Sequence, residues 1–136
     1  MHELSSVCCD RNPDPKDQRR AIEVLLDNGA DIHACDKNGV TALHHAVRFR
    51  SPAAVATLLE RGANVNQTCK RSGSTALHRA VTSTGAPGTA NRKAEAMEII
   101  QLLLHHGADS QLANKNGKCP IDYVRDDEIA ALLVNA

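Results

Sequence analysis

Apolar residues along this chain fall in short stripes of helical spacing, separated by polar turns that carry glycine. Leu43, Ala46 and Val47 form one stripe, and Leu77, Ala80 and Val81 repeat it. Side chains three and four residues apart share one helix face. A threonine precedes each stripe, Thr41 and Thr75, and its hydroxyl can accept from the first-turn N–H groups. His44 and His78 follow three residues later, where a capping box returns its second hydrogen bond. Val55, Leu58 and Leu59 form a further stripe behind Ser51-Pro52, a cap residue followed by proline at the first helical position. Gly29, Gly62 and Gly107 each follow a leucine pair by three residues. Glycine ends a helix there by taking the left-handed conformation that a side chain resists. The pattern predicts pairs of short helices joined by tight turns.

The pattern also repeats. Gly29-Ala30-Asp31, Gly62-Ala63-Asn64 and Gly107-Ala108-Asp109 are one motif three times, with spacings of 33 and 45 residues. Gly39-Val-Thr41-Ala-Leu43-His44-His-Ala46 recurs as Gly73-Ser-Thr75-Ala-Leu77-His78-Arg-Ala80. A weakened copy is Gly117-Lys-Cys119-Pro120-Ile121-Asp122-Tyr-Val124. A period near 33 with T-x-L-H-x-A resembles the ankyrin repeat, and the resemblance covers nearly the whole chain. It implies an all-α solenoid of stacked helix-turn-helix units with β-hairpin loops along one edge. The chain divides into units 1–34, 35–68, 69–112 and 113–136 of a single domain. The first and last are degenerate caps, as expected where one face meets water.

Three departures stand out. The 45-residue spacing places an insertion around residues 82–90, before a long helix expected over about 91–106. Arg50 stands where the resemblance implies glycine, so the turn after the first helix must take a positive φ with a side chain or be reshaped. Cys119 and Asp122 replace the Thr and His of the capping pair, which predicts a weak first helix in the last unit.

Composition refines this picture. Hydrophobic residues make up 42% of the 136 and aromatic ones 1%, so the core must be built from Leu, Ile, Val and Ala. Five cysteines without a framework spacing are expected as thiols in a reducing compartment, the cytoplasm or nucleus. No apolar run reaches the roughly 18–20 residues that span a bilayer, and the first fifteen residues lack a signal peptide's apolar stretch. The histidine pairs are adjacent rather than four apart, no triad is recognisable, and Gly85-Ala-Pro-Gly88 lacks a phosphate loop's lysine. An enzyme, a metal site and a cofactor are therefore not expected.

Charge sharpens the functional reading. The whole chain is neutral, with 16 basic and 16 acidic side chains. Residues 35–82, however, hold seven basic against two acidic side chains, and both flanking segments are net acidic. The resemblance implies a concave groove lined by hairpin tips and first helices. Lys37, Asn38, Lys70 and Arg71 map to the tips, and His45, Arg48 and Arg79 to exposed first-helix positions. The expected function is a protein-interaction module (adaptor, scaffold or stoichiometric inhibitor) that takes an acidic segment of another protein as a monomer. The charges would speed encounter and select partners. The alternatives are a targeting segment of a larger enzyme or effector, and a nucleic-acid binder. Scarce aromatics and a neutral total speak against the last.

Overall fold

The computed structural model describes residues 3–8, 14–81, 93–124 and 127–134. Within them lie α1 (Glu3–Cys8), α2 (Pro15–Asp27), α3 (Ala42–Arg48), α4 (Pro52–Glu60), α5 (Ala76–Val81), α6 (Lys93–His105), a 3₁₀ turn (Pro120–Tyr123) and α7 (Asp127–Val134). The helices stack in two rows. One row is α1, α3, α5 and the 3₁₀ turn, each packed on the next; the other is α2, α4, α6 and α7. Among the described residues there is no strand, only an isolated antiparallel bridge between Cys35 and Thr41 at the base of a hairpin.

The core lies between the rows and is aliphatic. Ile22, Val47, Val55, Leu58, Leu77, Ile99, Ile100 and Leu103 are fully buried, with Ala46, Ala54, Ala76 and Ala80 between them. Small alanines let the short helices approach closely, which explains how a chain with so few aromatics closes its interior. Gly62 ends α4 at a φ of 94°, where Gly62 N–H donates to Leu59 O and Ala63 N–H to Leu58 O at 3.1 and 3.0 Å. The Gly29 and Gly107 turns repeat this arrangement. Ion pairs tie the outer row across units, Arg19 to Glu60 and Arg61 to Asp27.

One expectation needs amendment and others gain detail. Ser51 does occupy the N-cap position of α4, but its hydroxyl makes no capping bond, because the backbone there (φ −110°, ψ 85°) turns it away from the first-turn N–H groups. Asp14 caps α2, which starts at Pro15: the Asp14 carboxylate accepts from Lys16 N–H at 2.9 Å and Asp17 N–H at 3.3 Å. Arg50 takes the positive φ directly, at 54°. Its buried guanidinium donates to Val47 O at 2.8 Å and to Arg79 O at 3.2 Å. The strained residue thereby joins the end of α3 to α5. In the last unit the first helix is reduced to the 3₁₀ turn, where Asp122 accepts from Cys119 N–H at 2.8 Å. The 82–90 insertion lies outside the described residues.

A hairpin face held in register

Three hairpin turns precede the first helices of successive units. In the first, Asp36 Oδ1 accepts from Asn38 N–H at 2.8 Å and Val40 N–H at 3.1 Å. These backbone donors hold its carboxyl below the usual carboxylate range. Asn114 does the same in the last hairpin, accepting from Asn116 and Lys118 N–H at 2.9 and 3.1 Å. The middle hairpin has Lys70 at this position and cannot. There Ser72 Oγ accepts from Ser74 N–H at 3.3 Å and lies 3.0 Å from Cys69 Sγ, which also receives Arg79 Nη2 at 3.8 Å. Burial opposes ionisation of the Cys69 thiol, but the Ser72, Ser74 and Arg79 donors outweigh it and lower the pKa to about 7.

The hairpins are bonded to each other. Lys70 N–H donates to Asn38 O at 2.8 Å, and Lys115 N–H to Ser72 O at 2.9 Å. Glycine is required for this approach: a Cβ on Gly39 would lie 2.8 Å from Lys70 N, and one on Gly73 would lie 3.0 Å from Lys115 N. Lys115 Nζ also donates to Lys70 O.

Behind the hairpins, each Thr–His pair ties its helix to a distant stretch of backbone, the second pair doing so across units. Thr41 N–H donates to His44 Nδ1 at 3.0 Å, while His44 N–H reaches Thr41 Oγ1 at 3.4 Å. With Nδ1 accepting, Nε2 carries the proton and donates to Gln67 O at 3.0 Å. His78 repeats the cap with Thr75 and reaches Lys118 O at 2.9 Å. Burial, with Arg79 nearby, lowers the His44 pKa to about 4, so the ring stays neutral and both bonds hold at neutral pH.

Turn-helix-helix units joined by stacked hairpins and a Thr–His clasp are one half of the case, and the sequence match is the other. The family model described as ankyrin repeats, in three copies, matches residues 14–112. The chain belongs to the ankyrin-repeat family. Human ankyrin repeat and SOCS box protein 6 is 32% identical over 120 residues, covering 80% of this chain and 28% of that protein. The E3 ubiquitin-protein ligase Ufd4 of Drosophila melanogaster is 35% identical over 133 residues, 93% of this chain and 4% of that protein. The crystal structure of the ankyrin repeat domain of Bcl-3, titled a unique member of the IkappaB protein family, matches with a TM-score of 0.77 at 30% identity, over 98% of this chain and 51% of that one. The chain thus spans 28% and 4% of these two relatives and about half of the Bcl-3 chain. Ankyrin repeats are protein-interaction modules, and no helix among the described residues is long and apolar enough to cross a membrane.

On this ankyrin scaffold the candidate residues separate into two groups. Lys37, Lys70 and Arg71 are exposed on the hairpins, and Asn38 is half-buried between them with its carbonyl spent on the Lys70 N–H. His45 and Arg79 occupy equivalent positions on α3 and α5 and are both half-buried. Burial, assisted by Arg79 and Arg48, keeps His45 below the ordinary histidine range against the pull of Asp36, so it is uncharged at neutral pH. Arg48 lies one turn further along α3, exposed, with its guanidinium 5.8 Å from the Phe49 ring centre. The expectation that His45 and Arg79 are exposed is corrected: both are half-buried, and the Arg79 side chain is partly committed to the Cys69 hairpin. One residue was missed. Lys115 stands two before Gly117, as Lys37 stands before Gly39 and Arg71 before Gly73, so the same hairpin position carries a cation in three successive units. Counting charge by segment hid it in an acidic stretch; counting from the hairpin glycine reveals it.

Proposed function

We propose that the chain is a protein-interaction module, working as an adaptor, scaffold or stoichiometric inhibitor, that takes an acidic segment of a partner along a concave face of hairpins and first helices. Within the boundaries 1–34, 35–68, 69–112 and 113–136, the middle two units carry most of this face. The observation that carries the reading is the row Lys37, Arg71 and Lys115, repeated at one hairpin position while the hairpins are bonded to each other. A row of cations on a backbone already fixed meets an acidic strand with little ordering cost. Lys70 and Arg48 extend the positive field, and Asn38, His45 and Arg79 offer polar contacts beside it. The ankyrin-repeat relatives support the interaction module; its action as a monomer in the cytoplasm or nucleus is part of the proposal.

The match to a short stretch of Ufd4 supports a second reading, in which such a module targets a larger enzyme. Both readings use the same face. The test is capture of a partner from native lysate by wild type and by Lys37→Glu/Arg71→Glu, with folding checked by circular dichroism. These two side chains are exposed, so their reversal leaves the Cys69–Arg79 hairpin intact. Loss of the captured protein by the folded variant is the expected outcome. Capture undiminished by the reversal would remove the hairpin face from consideration.

A further inference from the structure

A cleft of about 550 Å³ opens on the opposite side of the molecule, at the N-terminal ends of α2 and α4 and against the flank of α6. That size suits a ligand or a few partner side chains. Pro15, Pro52, Ala53, Ala56 and Leu102 give it apolar walls. Two polar atoms on its lining residues have no partner, Gln18 Oε1 and Ser51 Oγ, although these residues are only 4% and 2% exposed. Gln18 Nε2 donates to Val7 O at 3.2 Å, which fixes the amide and leaves its oxygen turned the other way. Ser51 is the cap residue whose hydroxyl makes no cap. Buried polar groups nearly always find partners, so two exceptions lining one cleft point to something that supplies them.

The chemistry of that missing group is constrained. An amide oxygen accepts only, a hydroxyl does either, and Glu95 and Glu98 add two acceptor carboxylates to the same lining. Arg50, the cation in the lining, has Nη1 directed to the carbonyls of Val47 and Arg79. A group that serves this set best donates several hydrogen bonds and pairs with the two carboxylates through positive charge. A guanidinium, planar with five donors, fits acceptors spread around a cleft better than an ammonium does. We propose that the outer-helix cleft seats an arginine side chain of a partner protein, its methylenes against Pro52 and Ala56 and its guanidinium toward Gln18, Ser51 and the two glutamates. The chain then offers two faces of opposite charge preference, and the cleft is independent of the hairpin face.

The probe is the tripeptide Ac-Ala-Arg-Ala-NH₂, titrated to millimolar concentration into ¹⁵N-labelled protein, with the citrulline tripeptide as the uncharged control. The expected result is a set of saturable amide shifts centred on Gln18, Ser51 and Glu98 with the arginine peptide only. Glu95→Gln/Glu98→Gln should weaken that binding about tenfold or more through loss of charge pairing. Ser51→Ala should also weaken it while leaving the melting temperature of the free protein unchanged or higher, because the hydroxyl makes no bond there. Absence of shifts at these residues, equal binding of the citrulline peptide, or affinity unaffected by the Glu→Gln pair would each overturn the proposal.

Discussion

The second and the last units present the same turn with different chemistry. In the second, Thr41 and His44 cap a seven-residue α-helix, and the imidazole goes on to clasp Gln67 O, at the approach to the next hairpin. In the last, Cys119 and Asp122 keep the returning cap bond, but the carboxylate has no N–H with which to reach onward, and the element shrinks to a four-residue 3₁₀ turn. The difference teaches that histidine's value here is its two-sidedness: one nitrogen accepts from the cap backbone and the other donates to a distant carbonyl, Gln67 O for His44 and Lys118 O of the next unit for His78. A carboxylate supplies only the first half. Where no further unit follows in the described stack, that half is enough to turn the chain.

The largest effect should come from breaking the clasp itself. His44→Ala removes the cap bond and the bond to Gln67 O and leaves a fully buried gap, for an expected loss of about 3 kcal/mol in a urea melt. A loss similar to that of an exposed-site mutation would contradict the clasp.

Acid should act on the same residue. Its pKa in the fold is near 4 against 6.5 when unfolded, so the unfolded state binds the proton more readily between those values. The stabilisation from a neutral His44 is complete above about pH 6.5 and declines as pH falls toward 4, by about 3 kcal/mol at most. The measurement is the denaturation midpoint across that window, with His44→Asn as control. A wild-type profile no steeper than that of the variant would show that the slope comes from other groups.

The smallest effect is expected at the other end of the comparison. Asp122→Ala should cost about 1 kcal/mol, the ordinary value of a lost cap, and backbone amides near the 3₁₀ turn should exchange faster than those of α3 and α5. Equal protection along the whole stack would mean that the last unit is as firmly clasped as the second.

Much of this was readable from residue order because the repeat imposes its own grammar. Glycines at fixed offsets, Thr and His three apart, and leucine pairs before Gly29, Gly62 and Gly107 each have one physical job, and each does it in the structure. The weak first helix of the last unit was legible in its outcome as well; the other departures were legible only as departures. Arg50 could be seen to lack glycine's freedom, yet only coordinates show the guanidinium spanning Val47 O and Arg79 O beside its positive φ. Ser51 looked like a cap because residue type and a following proline say so; the local backbone decides whether the hydroxyl arrives. In the Lys70 hairpin, three side chains replace one carboxylate, and no spacing rule anticipates a thiol and an arginine sharing that work. The binding face was half legible: the middle of the chain read as basic, while the in-register row that includes Lys115 required the hairpin alignment.

The most direct test of that face is fluorescence titration of a labelled glutamate-rich peptide at low and at physiological salt, with wild type and with Lys37→Glu/Arg71→Glu/Lys115→Glu. Saturable binding that weakens with salt and disappears in the folded triple variant is the predicted result. Binding by the triple variant equal to wild type, or none by wild type at low salt, would contradict an acid-selecting hairpin face.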